Sequence, residues 1–214
     1  MNPVRHLGIL QERAIGRLDR LHQLALNLPP LPTPSEKRTA AYVVIEIANL
    51  WSAAARSFYL SCVLRARRVS GMRVKLGVGG IQSIQDGIHF AVQTLKPRSV
   101  KLNRVYHPLD EPNWYKRETL LDLANALTFS NSADIQLALN LSTDAFTDVV
   151  VFRNFFAHRS ENTARQAQRL GPRYGQSSTK PPADIVCGVG PGRPQNVLAD
   201  WIDDIRITID YMCT

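Results

Sequence analysis

Residues 33–68 read TPSEKRTAAYVVIEIANLWSAAARSFYLSCVLRARR, and this stretch decides the fold class. Thr33 is a capping residue, Pro34 stands at the first helical position, and Glu36 follows three residues after the cap. Those three together are a helix start in which cap hydroxyl and glutamate satisfy each other's backbone N–H groups. The next stop signal is Ser70-Gly71, so the spacing predicts one helix from Pro34 to about Arg68. Thirty-odd residues at about 1.5 Å each give a rod roughly 50 Å long. Glu46, Asn49 and Arg56 interrupt its most apolar part, Tyr42–Leu64, so it is not a membrane span.

Upstream, apolar residues recur at Leu7, Leu10, Ala14, Leu18, Leu21, Ala25 and Leu28, which is helical spacing, until Pro29-Pro30-Leu31-Pro32 ends it. Downstream, helices are expected over Ile81–Leu95, Asn113–Leu127, Ser132–Leu141 and from Ser142 to about Arg165, the last opened by Ser142-Thr143-Asp144. Pro194 opens a final helix with Val197, Trp201, Ile205 and Ile209 on one stripe. Residues 171–193 are rich in Pro, Gly and Ser and are expected as a loop that is functional or disordered. No strand pattern competes. The expected fold is therefore all-α: one helical domain over 1–214, with long antiparallel helices and a basic, partly irregular insertion at 70–112.

The chain has 214 residues, 44% of them hydrophobic, enough for a buried core. Its net charge is +8 and its pI about 9.8, which favours a polyanionic partner. Eleven basic residues against three acids lie between Arg65 and Arg117, so this belt carries a charge equal to that of the whole chain. Such clustering suits contact with a phosphate backbone, of RNA or of DNA, and equally suits a solvated basic face. The N-terminus lacks the pattern of a signal peptide. Cys62, Cys187 and Cys213 are odd in number and widely spaced, as expected of reduced thiols in a cytoplasmic protein. Gly77-Val78-Gly79-Gly80 lacks the third glycine of a dinucleotide loop, no Walker lysine occurs, and no histidine has companions at metal spacing. No metal and no cofactor are expected.

One stretch carries chemistry: Val149-Val150-Val151-Phe152-Arg153-Asn154-Phe155-Phe156-Ala157-His158-Arg159. As a helix it is apolar nearly all round, with Arg153 in the middle of its main apolar stripe. A buried guanidinium is costly without a partner, a wet cleft or a ligand. Asn154 and His158 are four apart and share a flank. Histidine moves a proton near neutral pH, and arginine grips a phosphate through a fork of donors. Glu46, set in the apolar run Tyr42–Ala48, is the expected orienting carboxylate for Arg153, or else reaches water at a helix edge. Arg56 and Asn49 are further candidates for the cleft.

With 20 arginines and 5 histidines, R-x4-H arises by chance about 0.5 times, and Arg17 to His22 is one such decoy. Requiring asparagine after the arginine lowers the expectation to about 0.02. Arg153-Asn154-Phe155-Phe156-Ala157-His158 resembles the R-N-x3-H signature of HEPN-domain proteins, late in an all-helical chain and before a final Trp/Ile-rich helix. The likeness covers Asn113–Thr214 and the long second helix. It implies a helical bundle that pairs into a two-fold dimer and acts as a metal-independent endoribonuclease at the dimer cleft. Arg153 and His158 would be catalytic and Asn154 would support them. Such proteins belong to bacterial toxin–antitoxin or anti-phage systems, which adds an antitoxin or defence partner to RNA. Some are non-catalytic modules that bind nucleic acid or protein, the alternative reading here. A subgroup carries a modified tyrosine two residues after the histidine; Ser160 stands there instead, so that regulation is not expected. A dimer also makes chemical sense, because transfer to the neighbouring 2′-hydroxyl wants a base and an acid and each chain offers one histidine. Val151 and Phe155 are the expected partner contacts.

Overall fold

Thr33 does cap the long helix. Its hydroxyl accepts the Glu36 N–H at 3.4 Å, and the Glu36 carboxylate accepts the Thr33 N–H at 2.7 Å. The structure, a computed structural model, describes residues 1–141 and 144–214. Among them are nine α-helices: α1 (Leu7–Leu26), α2 (Pro34–Val63), α3 (Ile84–Leu95), α4 (Arg117–Ala126), α5 (Ser132–Leu141), α6 (Ala145–His158), α7 (Glu161–Arg169), α8 (Pro182–Val186) and α9 (Val197–Cys213). Single 3-10 turns stand at Pro97–Ser99 and Gly171–Tyr174. Only isolated bridges represent β structure among the described residues, and the fold is all-α. No described helix is long and apolar enough to cross a membrane.

The chain forms two compact units. The first comprises residues 1–14, 52–141 and 208–214; the second comprises 15–51 and 142–207. Helices α1, α2 and α9 each contribute residues to both. In the first unit Tyr59 of α2 packs against Trp114 and Phe129, and its hydroxyl donates to the Gly87 carbonyl at 2.9 Å. Here too Glu111, almost fully buried, accepts a two-point bond from Arg56 at 2.6 and 2.7 Å and a third from the Trp114 indole at 2.8 Å. Arg56 is thus bound into a structural pair, and Asn49 is exposed. In the second unit Trp51 meets Phe146 at 4.4 Å between ring centres, and Phe152 meets Trp201 at 5.4 Å.

Helix α3 begins at Ile84 rather than Ile81, because Ser83 caps it in a reciprocal pair with Asp86, and α9 begins at Val197 rather than at Pro194. Three further boundaries differ from the sequence reading, each for a local reason. Helix α2 ends at Val63, five residues early. Arg65 adopts a left-handed conformation (φ 57°), and residues 66–68 leave to pair with 5–7 and 72–74. Helix α4 begins at Arg117, because Asn113–Lys116 forms a turn closed by Thr119, whose hydroxyl donates to the Asn113 carbonyl at 3.0 Å. The segment expected as one helix to Arg165 is two. Arg159 turns left-handed (φ 46°), and Ser160 caps α7 in a reciprocal pair with Thr163. The expected cap Ser142-Thr143 lies outside the described residues.

Residues 171–193 are not a free loop. They hold the 171–174 turn and α8, and they bury Tyr174, Ile185, Val186 and Cys187. Gly175 needs its freedom here. It sits at φ +67°, and an added Cβ would overlap the Pro191 ring. Gly175→Ala should cost about 2–3 kcal/mol, from the left-handed backbone and the clash together. An unchanged melting temperature would refute this.

All three thiols are buried. Burial pushes Cys187 and Cys213 up to about 12 and moves Cys62 upward as well. Only the thiolate alkylates. Iodoacetamide at pH 8 should therefore label all three in denaturant and none within minutes in the folded protein.

Candidate functional site

Helix α6 sorts its residues by the periodicity of 100° per residue. Ala145, Phe146, Asp148, Val149, Phe152 and Phe156 face the core. That stripe is rotated from the one the sequence suggested, which was centred on Arg153. The guanidinium therefore lies on the flank, half-buried rather than enclosed. Its one hydrogen bond among the described residues runs from Nη1 to Asn154 Oδ1, a long 3.4 Å. No carboxylate neutralises it among those residues. Val151 and Phe155 are half-buried, with the Phe155 ring edge-on to Phe156 at 5.0 Å.

His158 is the last residue of α6 and is exposed. Asn154 shares its flank, as expected. Arg153 does not: five residues separate it from His158, about 140° around the helix and about 7.5 Å along it. One chain therefore leaves these two side chains on different flanks. Ser160, which stands where the modified tyrosine of the subgroup would be, has a structural role as the α7 cap.

Glu46 does not orient Arg153. Its carboxylate pairs with Arg17 Nη2 at 3.1 Å, with both side chains partly exposed. The run Tyr42–Ala48 is not apolar on all sides in practice, since Tyr42 is 53% exposed. That open edge is where Glu46 reaches out.

The buried charge of α6 is instead Asp148, one residue before the quoted stretch. Its side chain is 2% exposed. Both carboxylate oxygens accept from Arg173 Nη1, at 2.9 and 3.0 Å, and one accepts the Tyr174 hydroxyl at 2.6 Å. Tyr174 in turn accepts the Trp201 indole N–H at 2.9 Å. Burial raises the Asp148 carboxyl above its ordinary range, while the Tyr174 hydroxyl and the Arg173 charge pull it back. Burial and the neighbouring carboxylate push the Tyr174 hydroxyl upward. Beside this chain lies a cavity of about 150 Å³ lined by Asp144, Arg173, Tyr174, Arg193, Asp200 and Trp201. The Arg193 guanidinium stacks 5.6 Å from the centre of the Tyr174 ring and pairs with Asp200. Its arginines all have acidic partners, so the cavity is a satisfied structural network. The signal for it was available: a lone aspartate on a helix apolar almost all round demands partners as strongly as an arginine does.

The basic belt is also sorted. Arg68 pairs with Asp134, Lys101 with Asp110, Arg104 with Asp86 and Arg117 with Glu118. Arg65, Arg67 and Arg73 have no ion pair among the described residues. No group of three or more His, Cys, Asp or Glu side chains is placed to hold a metal ion there either. Comparison with family models, with curated proteins and with solved structures finds no match to this chain.

Proposed function

We propose that the chain is an endoribonuclease of HEPN type that needs no metal and works as a homodimer, with Arg153 and His158 at the dimer cleft and Asn154 supporting them. Such an enzyme fits a cytoplasmic toxin–antitoxin or anti-phage system with its own antitoxin or defence partner. The observation that carries the reading is the state of α6. Its core face is fixed by Asp148 and aromatic packing, while Arg153 is left without a carboxylate and His158 is presented to solvent. An unneutralised guanidinium and an exposed imidazole on one helix suit a phosphodiester better than they suit a stable fold. In this scheme one histidine takes the 2′-hydroxyl proton, and the attacking oxygen forms the new P–O bond. The histidine of the second copy protonates the departing 5′-oxygen, and the arginines hold the charged phosphoryl oxygens.

The separation of about 140° between Arg153 and His158 makes the dimer a requirement of the proposal, and it also favours a second reading. In that reading α6 belongs to a non-catalytic module that binds RNA or protein. Incubation of purified protein with single-stranded and structured RNA in EDTA decides between them. A 2′,3′-cyclic phosphate product from a dimeric species supports the enzyme. RNA binding without scission, or a strictly monomeric protein, supports the module.

A further inference from the structure

The first unit holds a cavity of about 390 Å³ lined by Arg5, His6, Leu64, Arg65, Arg67 and Arg73. None of these residues is acidic. The backbone builds it deliberately. Leu7 N–H donates to the Arg67 carbonyl at 2.7 Å, Arg67 N–H to the Arg5 carbonyl at 2.9 Å, and Arg68 N–H to the Met72 carbonyl at 2.8 Å. His6 thereby bridges Arg67 in parallel, and Arg67 bridges Arg73 in antiparallel. Ala66 and Val74 go into the core, and alternation sends Arg67 and Arg73 to the other face, side by side. Like charges directly opposite each other destabilise such a pair. Arg65 joins them from a left-handed backbone that L-residues rarely adopt. All four guanidinium groups are exposed, and none makes an ion pair or hydrogen bond among the described residues. His6 accepts the Gly8 N–H at Nδ1, so its neutral ring carries a proton on Nε2 and offers one more donor.

Repulsion and strain concentrated around one hollow, while Arg68 close by in sequence is paired with Asp134, point to an anion as the missing partner. Leu64 and Arg65 also line an adjoining depression of about 290 Å³ with Val63, Ile81 and Gln82. An arginine-lined hollow beside an apolar surface with one amide matches a nucleotide: phosphate in the first, base in the second. We propose that this pocket binds the phosphodiester backbone of single-stranded nucleic acid, RNA in the reading above, and seats a base against Ile81 and Gln82. The pocket belongs to the first unit and α6 to the second, and the binding proposed here does not depend on whether α6 cleaves.

The test uses the full chain and a fluorescein-labelled ten-nucleotide oligouridylate, with anisotropy read at several salt concentrations. Replacing Arg5, Arg65, Arg67 and Arg73 by Gln should weaken binding about 30-fold or more and lower the salt slope by about 2–3. A control replacing Arg13, Arg20, Arg98 and Arg169 by Gln removes the same charge from exposed positions and should lose less than about threefold. The single variant Arg73→Glu guards against misfolding. It sets opposite charges across from Arg67, so its melting temperature should hold or rise while RNA affinity falls. Equal losses in pocket and control variants would overturn the site in favour of diffuse basic charge. Undiminished binding in the pocket variants would overturn it outright, as would duplex DNA of equal charge competing as well as the oligouridylate. His158→Ala separates the two proposals, since it should leave this binding intact even where scission is lost.

Discussion

His158→Ala should abolish RNA scission, with a loss of at least about 100-fold, and leave the melting temperature unchanged. The two halves of that expectation have separate causes. His158 is exposed and closes α6 without a hydrogen bond from its ring among the described residues, so its removal costs the fold little. As the proposed proton carrier it has no substitute on its own chain. Arg153→Ala should lose a comparable factor, and Arg153→Lys should recover only part of it, because an ammonium lacks the planar fork that grips two phosphate oxygens. The two-histidine scheme adds a sharper expectation. Each site takes its base from one copy and its acid from the other, so a heterodimer of wild-type and His158→Ala chains lacks one of the two. Mixing equal amounts and letting subunits exchange should leave about a quarter of the dimers, and about a quarter of the activity, intact. Retention of about half the activity, as for copies that work independently, would defeat the shared-site scheme.

Asp148→Ala should destabilise the protein by about 3 kcal/mol, a fall of roughly 6–12 °C in melting temperature. The loss comes from orphaned partners. The Tyr174 hydroxyl, buried against Trp201, is left without its acceptor, and the aspartate's own volume is left empty. Arg173 is about half exposed and recovers water, which holds the cost below that of a fully buried pair. Asp148→Asn keeps an acceptor for Tyr174 and should lose less than half as much. The pH dependence has a definite sign. Burial holds the folded Asp148 carboxyl above its unfolded value, so its titration favours the folded state below the unfolded value and loses that contribution as pH rises through the folded one. Asp86 and Asp110 are held below their ordinary range by their hydrogen bonds, and they act in the opposite sense. The gap between wild type and Asp148→Asn should therefore move in the wild type's favour on acidification. A gap that moves the other way would show that the Arg173 pairing outweighs burial.

Two of the readings from residue order alone were complete. The Thr33–Glu36 start signal and the stripe from Leu7 to Leu28 each appear in the structure as written, because capping and helical periodicity are contacts between residues within a few positions of one another. The ends of helices were less legible. Val63, Arg159 and Arg117 became boundaries through turns and pairings with distant segments, and Ser160 acts as a cap although it lies inside an apparently continuous helical run. Residues 171–193 depart from the expected loop for a related reason. Their glycines and prolines mark tight turns, and the apolar residues between them found a core that composition does not reveal.

For the site, sequence supplied the identities and structure supplied the states. That Arg153, Asn154 and His158 share one helix, with asparagine and histidine on one flank, follows from their spacing. That Arg153 has no carboxylate, that Glu46 belongs to Arg17 and Arg56 to Glu111, and that Asp148 holds the buried charge of α6 follows only from which segments fold beside which. The same division governs the basic belt. Residue order fixes how much positive charge lies between Arg65 and Arg117, whereas folding decides which of those charges meet an acid and which, like Arg67 and Arg73, stand across from each other on paired backbone. Net charge is a sum over residues and survives any fold; neutralisation is a matter of a few ångströms between residues far apart in the chain, and only the tertiary structure brings them that close.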